Sequence, residues 1–188
     1  ETAAILFDNV ALSNKKLTEQ LEAKNHQIAL EHAFKIIKQK LSITEKVILK
    51  LHGILMNGIR DDAGQYRNHA VRIVGANIPT ANYIKIPEKM KKVIQQIKQK
   101  RKDAVKHAAY IHADFEQIHP FSDGNGRIGR LLMLMMLLQK NIAPAVVRQE
   151  KKKLYYKALQ RAQQKKEFYP LEDFTCDAIL EGYKIILD

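Results

Sequence analysis

Residues 117–132 read QIHPFSDGNGRIGRLL, with one histidine, one aspartate, three glycines and two arginines set between apolar runs. How that stretch is read decides the fold. Gly124, Gly126 and Gly129 satisfy G-x-G-x-x-G, but the dinucleotide fingerprint follows a strand, opens a βαβ unit and has an acidic residue about 20 positions on. Here a long helical pattern precedes the glycines and no series of parallel strands follows. A P-loop is excluded too, because no Gly-Lys-Ser/Thr follows. What remains is a glycine-rich turn between two helices, and with it an all-α domain.

The residue types in that turn point to phosphate chemistry. The Gly124-Asn125-Gly126 run lets consecutive amides face one concavity, and the helix that starts there adds its positive end. Arg127 and Arg130 are three apart, so both can reach an anion at that end. Asp123 would repel a bare phosphate, yet suits a Mg²⁺ ion lying between the two. The imidazole of His119, with an ordinary pKa of about 6.5, can take a proton from a hydroxyl near neutral pH. Phe121 reads as the anchor that keeps both neighbours still. A base, a magnesium ion and a polyphosphate together describe phosphoryl or nucleotidyl transfer.

Working outward, the chain has 188 residues, enough for one domain with a proper core, and it is read as a single unit over 1–188. Cys176 is the only cysteine, so neither an internal disulfide nor a cysteine zinc site is available, and a reducing cytosol is the expected address. The opening residues ETAAILFDNVALSNKK have neither the basic start nor the apolar run of a secretion signal. LLMLMMLL at 131–138 is too short for a membrane span and reads as a buried core helix. The net charge of +12 favours anionic partners in general. Its lysines fall in scattered runs where helices would show them to water. No recognition helix or interleaved aromatics appear, so a nucleic-acid-binding module is the rival reading and nucleic acid is not an expected partner.

Apolar spacing predicts a helix from Ser13 to Lys40 with Leu17, Leu21, Ile28, Phe34, Ile37 and Leu41 inward. A second is predicted to open at Ser42, with Glu45 completing a capping box. VRIV at 71–74 and YIKI at 83–86 alternate on either side of GANIPTAN and predict one β-hairpin. Helices follow after Pro87, from an Asp103 cap, from the glycine turn to about Lys140, over about 150–165, and after Pro170.

The pattern His119-x-Phe121-x-Asp123-Gly124-Asn125-Gly126-Arg127-x-x-Arg130 resembles the signature of the Fic family, H-x-F-x-[DE]-G-N-G-R-x-x-R, at every constrained position. AGQYRNHAVRIVGANIPTANYIKIP and KKKLYYKAL also look like that family's flap and the helix after its active site. The resemblance implies a Fic-like helical bundle with a hairpin flap over 71–86, which transfers AMP from ATP to a Ser, Thr or Tyr hydroxyl of a protein.

In this reading His119 is the base, Asp123 holds Mg²⁺, and Gly124, Asn125, Gly126 and Arg127 stabilise the charge on the transferred phosphate. Arg130 takes the γ-phosphate. Val71, Arg72, Ile73 and Tyr83 grip the target by strand addition, and Tyr156 and Gln163 flank the adenine. Self-modification and a homodimer are within what the resemblance implies. Transfer of UMP, phosphocholine or phosphate, or removal of AMP, is the alternative chemistry. The segment 1–12 reads as the remnant of the family's inhibitory helix, with Asp8 in place of the usual Glu. Asp177-Ala-Ile-Leu-Glu181-Gly182 is a second partial match to that helix near the C-terminus.

Overall fold

The computed structural model of the chain describes residues 16–73 and 78–187. The segment 1–12 with Asp8, and the middle of the flap at 74–77, lie outside them. Seven α-helices are described: α1 (Leu17–Lys38), α2 (Glu45–Leu55), α3 (Ile86–Ile97), α4 (Ala104–Ile118), α5 (Asn125–Leu138), α6 (Lys152–Lys165) and α7 (Tyr169–Leu187). Helices α4 and α5 form the centre. Around them α1 packs on α2 and α5, α3 on α4, and α6 and α7 on each other and on α4.

The all-helical expectation holds, whereas the hairpin needs correction. Among the described residues there is no strand. Tyr83–Lys85 form a single 3₁₀ turn, entered through an Asn82 side chain that accepts the Ile84 amide at 3.0 Å, and Ile86 already belongs to α3. The YIKI alternation is therefore the run-in to a helix whose buried Ile86, Met90, Val93 and Ile94 carry the true period. The two arms still meet, since the Thr80 hydroxyl donates to the Val71 carbonyl at 2.9 Å.

Two helix readings also shift. On α1 the buried residues are Asn25, Ala29, Ala33 and Ile36, while Leu17, Ile28, Phe34 and Leu41 are exposed. Alanine at two successive inward turns lets α2 and α5 approach closely, so small residues mark this interface rather than large ones. Helix α2 is capped by Thr44, which accepts the Val47 amide at 3.3 Å, and not by Ser42. Ile43 and Ile48 flank that cap, both buried in one core, the staple arrangement that fixes how a chain enters a helix. Asp103 caps α4 as expected, accepting the Lys106 amide at 2.9 Å.

Helix α4 separates two cores. Ala108, Ile111, Phe115 and Ile118 join the larger one with α1, α2, α3 and α5. Ala109 and Ala113 face Tyr155, Ala158, Leu159, Ala162, Leu171 and Phe174 of α6 and α7. The LLMLMMLL run lies in α5 and is buried at Leu131, Leu132, Met133, Met135, Met136 and Leu137. A helix apolar nearly all round belongs inside a bundle. No described helix is long and apolar enough to cross a membrane.

Candidate active site

The site forms where α4 stops and α5 starts. His119 caps α4 with left-handed backbone, φ 52°, its amide donating to Phe115 O at 3.0 Å. Left-handed geometry is costly for most side chains, so other contacts must hold this turn. Asn125 supplies two, accepting the Phe121 amide and donating to the Phe121 carbonyl, each at 2.9 Å. Its side chain is thus spent on closing the loop, leaving only its backbone amide for an anion. Gly124 opens α5 at φ 77°, and a β-carbon there would come within 3.1 Å of the Met56 sulfur.

Phe121 is fully buried and stacks on His52, ring centroids 3.7 Å apart and 5° from parallel. The His52 Nδ1 accepts the Gly64 amide at 2.9 Å, which leaves Nε2–H to donate to the Asp123 carbonyl at 3.1 Å. A neutral ring does both. Burial drives the His52 pKa down to about 4, against the pull of the Asp123 carbonyl and nearby carboxylates.

Arg67 does more. Its guanidinium donates to His119 O at 2.7 Å, Ile118 O at 3.3 Å, His69 O at 2.6 Å and Ala81 O at 2.7 Å, and its amide to Pro120 O at 3.0 Å. One buried cation ties both arms of the flap to the histidine turn. Asp62 accepts two bonds from Arg60 and one from the Ser122 hydroxyl, anchoring the loop from a third side. Reading the sequence missed His52, Asp62 and Arg67. His52 and Asp62 lie in no motif, Arg67 lies in the flap stretch without standing out there, and only the fold brings residues about 50 to 70 positions upstream against the loop.

Around the α5 N-terminus, Asp123 accepts the Gly124 amide at 2.6 Å and leaves its carboxylate more than half exposed. Arg127 reaches Glu22 at 3.3 Å and Asp123 at 3.7 Å. Arg130 comes within 3.3 Å of where a β-carbon on Gly126 would lie. No side chain caps α5, so its first amides are free to meet an anion. The predicted loop, both arginines and the histidine do converge here.

The other predicted residues lie outside the loop itself. Gln163 is buried and donates to Ala113 O at 3.5 Å, because an amide inside the smaller core needs a partner. Tyr156 is exposed on α6 with its ring 5.1 Å from Tyr155. Val71, Arg72 and Ile73 belong to no ladder, and Tyr83 is in the 3₁₀ turn. Glu181 pairs with Arg148 at 2.8 Å and Lys184 at 3.0 Å on α7.

Among the described residues no group of three or more His, Cys, Asp or Glu gathers to hold a metal. A lone outward carboxylate beside free amides fits Mg²⁺ only if substrate phosphates and water supply the other ligands, the usual magnesium habit.

These features define a helical domain whose central helix N-terminus can take an anion next to an imidazole. The chain belongs to the Fic/DOC family, whose model matches residues 42–137. It is 29% identical over 165 residues to a protein adenylyltransferase Fic of Drosophila persimilis, covering 86% of this chain and 32% of that relative. The chain thus spans about a third of its curated relatives' length. A Fic domain containing signaling protein from Bacteroides thetaiotaomicron shares the fold at TM-score 0.86 and 21% identity, over 95% of this chain and 76% of that one. BepC from Bartonella tribocorum, solved with bound AMPPNP, matches at TM-score 0.64 and 18% identity over 94% and 96%.

The buried imidazoles make stability depend on pH. His52 and His112, each 1% exposed, are both lowered by burial to about 4. Below 6.5 the unfolded chain binds protons that the folded chain refuses, so their contribution is complete above 6.5 and is lost as pH falls from there to about 4. Burial raises Glu116 to about 7, which acts oppositely, losing stability as pH rises from 4.5. Two histidines against one carboxyl leave a net of one proton between pH 4.5 and 6.5, roughly 1.4 kcal/mol per pH unit. His26, His107 and His119, also lowered by burial, add to it, and Asp114, raised by burial, opposes it. The thermal midpoint is expected to fall as pH drops through that window, more steeply in Glu116→Gln. A flat profile would contradict the neutral pairing of His52.

Proposed function

We propose that this domain transfers AMP from ATP to a Ser, Thr or Tyr hydroxyl of a protein. The observation that carries this reading is the His119 imidazole, fixed in a left-handed turn immediately before an uncapped helix N-terminus flanked by Arg127 and Arg130. His119 takes the hydroxyl proton as that oxygen bonds to the α-phosphorus and the bond from the α-phosphorus to the bridging oxygen breaks, releasing pyrophosphate. The Gly126 and Arg127 amides and the Arg127 guanidinium meet the charge that develops on the α-phosphate, preorganised donors being the largest catalytic contribution in many enzymes. Arg130 grips the γ-phosphate. Asp123, with phosphate oxygens and water, would hold Mg²⁺, which supplies neutralisation of the phosphates. Val71, Arg72 and Ile73, which belong to no ladder, would give a target segment backbone to lie along as a strand.

The names of the Drosophila relatives and the AMPPNP bound to BepC support this reading. So does the shape of Gly126, where a side chain would press on Arg130. Incubation of the domain with a lysate, Mg²⁺ and ATP labelled at either the α- or the γ-phosphate tests it. Label is expected on protein from the α position alone. Label from the γ position alone would identify a kinase and overturn the proposal.

A further inference from the structure

Beneath the first turns of α5 lies a polar cluster that the proposed chemistry leaves unused. Glu116 is 6% exposed, and its Oε1 has no hydrogen-bond partner among the described residues. That oxygen lies 4.0 Å from the position of a β-carbon on Gly126, the same point that Arg130 Nη1 approaches to 3.3 Å from along the helix. A β-carbon on Gly129 would collide with Glu116 Oε1 and lie 3.1 Å from the His112 ring. Gly129 is the third glycine of the opening stretch and is free to vary in the signature. Its role here is to leave room for Glu116 and His112. Tyr155 completes the cluster, its hydroxyl 2.6 Å from His112 Nε2 and within the field of the Arg130 charge.

We infer that Glu116 is a positioning residue for Arg130, whose guanidinium it draws to the inner side of α5 so that the arginine is already placed for the terminal phosphate of a nucleoside triphosphate. The inference rests on the proposed role of Arg130.

An unrestrained arginine has much rotamer freedom to lose when it grips a ligand. A carboxyl enclosed in low dielectric acts on a neighbouring cation far more strongly than a solvated one does, and the Arg130 charge acts on Glu116 across the space that Gly126 leaves open. Burial raises the Glu116 carboxyl to about 7 and the Arg130 charge pulls it back, so Glu116 can take up a proton when a phosphate claims the arginine. Besides Arg130, the groups facing this cluster are His112 on α4, Tyr155 on α6 and His26 on α1, the last also within the field of Arg130.

The test is calorimetric binding of Mg²⁺–ATP and Mg²⁺–ADP to the protein, to Glu116→Gln, to Arg130→Ala and to the double variant. At pH 8, where the Glu116 carboxyl is ionised, Glu116→Gln keeps shape while removing the charge, and is expected to cut the ratio of ATP to ADP affinity about 5-fold to 10-fold with ADP binding unchanged. The double variant should lose no more of that ratio than Arg130→Ala alone. Equal weakening of both nucleotides, no change in either, or additive losses would overturn the inference while leaving the proposed function standing. A wild-type protein that binds neither nucleotide would sink both. Glu116→Asp, which retracts the carboxyl by one methylene, gives the same readout if the glutamine variant does not fold.

Discussion

Arg67→Met is expected to destabilise the domain by about 3 kcal/mol or more, the cost of stripping a buried charged donor from its partners. Four main-chain carbonyls, those of His69, Ala81, Ile118 and His119, would lose their donor at once. Methionine fills much of the space, so the loss reports hydrogen bonding rather than a cavity. Arg67→Lys should recover little, because a compact ammonium cannot match a planar fork to carbonyls arriving from two directions. Urea denaturation at neutral pH measures the effect, and a midpoint within error of wild type would show that the carbonyls find water instead. Either variant should also free the histidine turn, so transfer is expected to fall more than stability alone explains.

The second large effect is on catalysis. Replacing His119 removes the proposed base and is expected to lower the transfer rate by about 10² to 10⁴. The choice of substitution matters because the backbone here is left-handed, with φ 52°. Alanine would add strain of roughly 1 to 2 kcal/mol at that position, whereas asparagine accepts it readily. His119→Asn therefore separates chemistry from conformation: the fold and nucleotide affinity should survive while transfer is lost. An asparagine variant that still labels protein at the wild-type rate would remove His119 from the mechanism. Burial lowers the His119 pKa, with the Arg67 charge in the same sense and the Glu116 carbonyl and Asp123 opposing. A lowered pKa keeps the ring neutral in mild acid, so the acid limb of the pH–rate profile is expected below pH 6.5.

Much of the fold was legible because helical periodicity and capping are local. The Asp103 cap, the buried LLMLMMLL helix and the end of α4 before His119 all follow from residues a few positions apart. Where expectation failed, tertiary packing had overridden a local preference. YIKI has strand alternation, but Ile86 is needed in the core as the first residue of α3. The large apolar residues of α1 seemed to mark its inner face, yet Ala29 and Ala33 do so because close approach of two helices needs small side chains. Gln163 reads as flanking the adenine, but its side chain is buried and donates to Ala113 O of α4.

By itself the sequence determined the chemistry available: one loop holding an imidazole, a carboxylate, an anion-accepting helix start and two guanidinium groups in a spacing that requires a helix after a glycine turn. Only the tertiary structure decided what holds that loop in place. His52, Asp62 and Arg67 act on backbone atoms of the loop from some 50 to 70 residues away, and Glu116 reaches Gly126 and Gly129 across a helix interface. Main-chain carbonyls and amides are the same at every residue, so a partner that recognises them leaves no pattern in the sequence until the chain has folded.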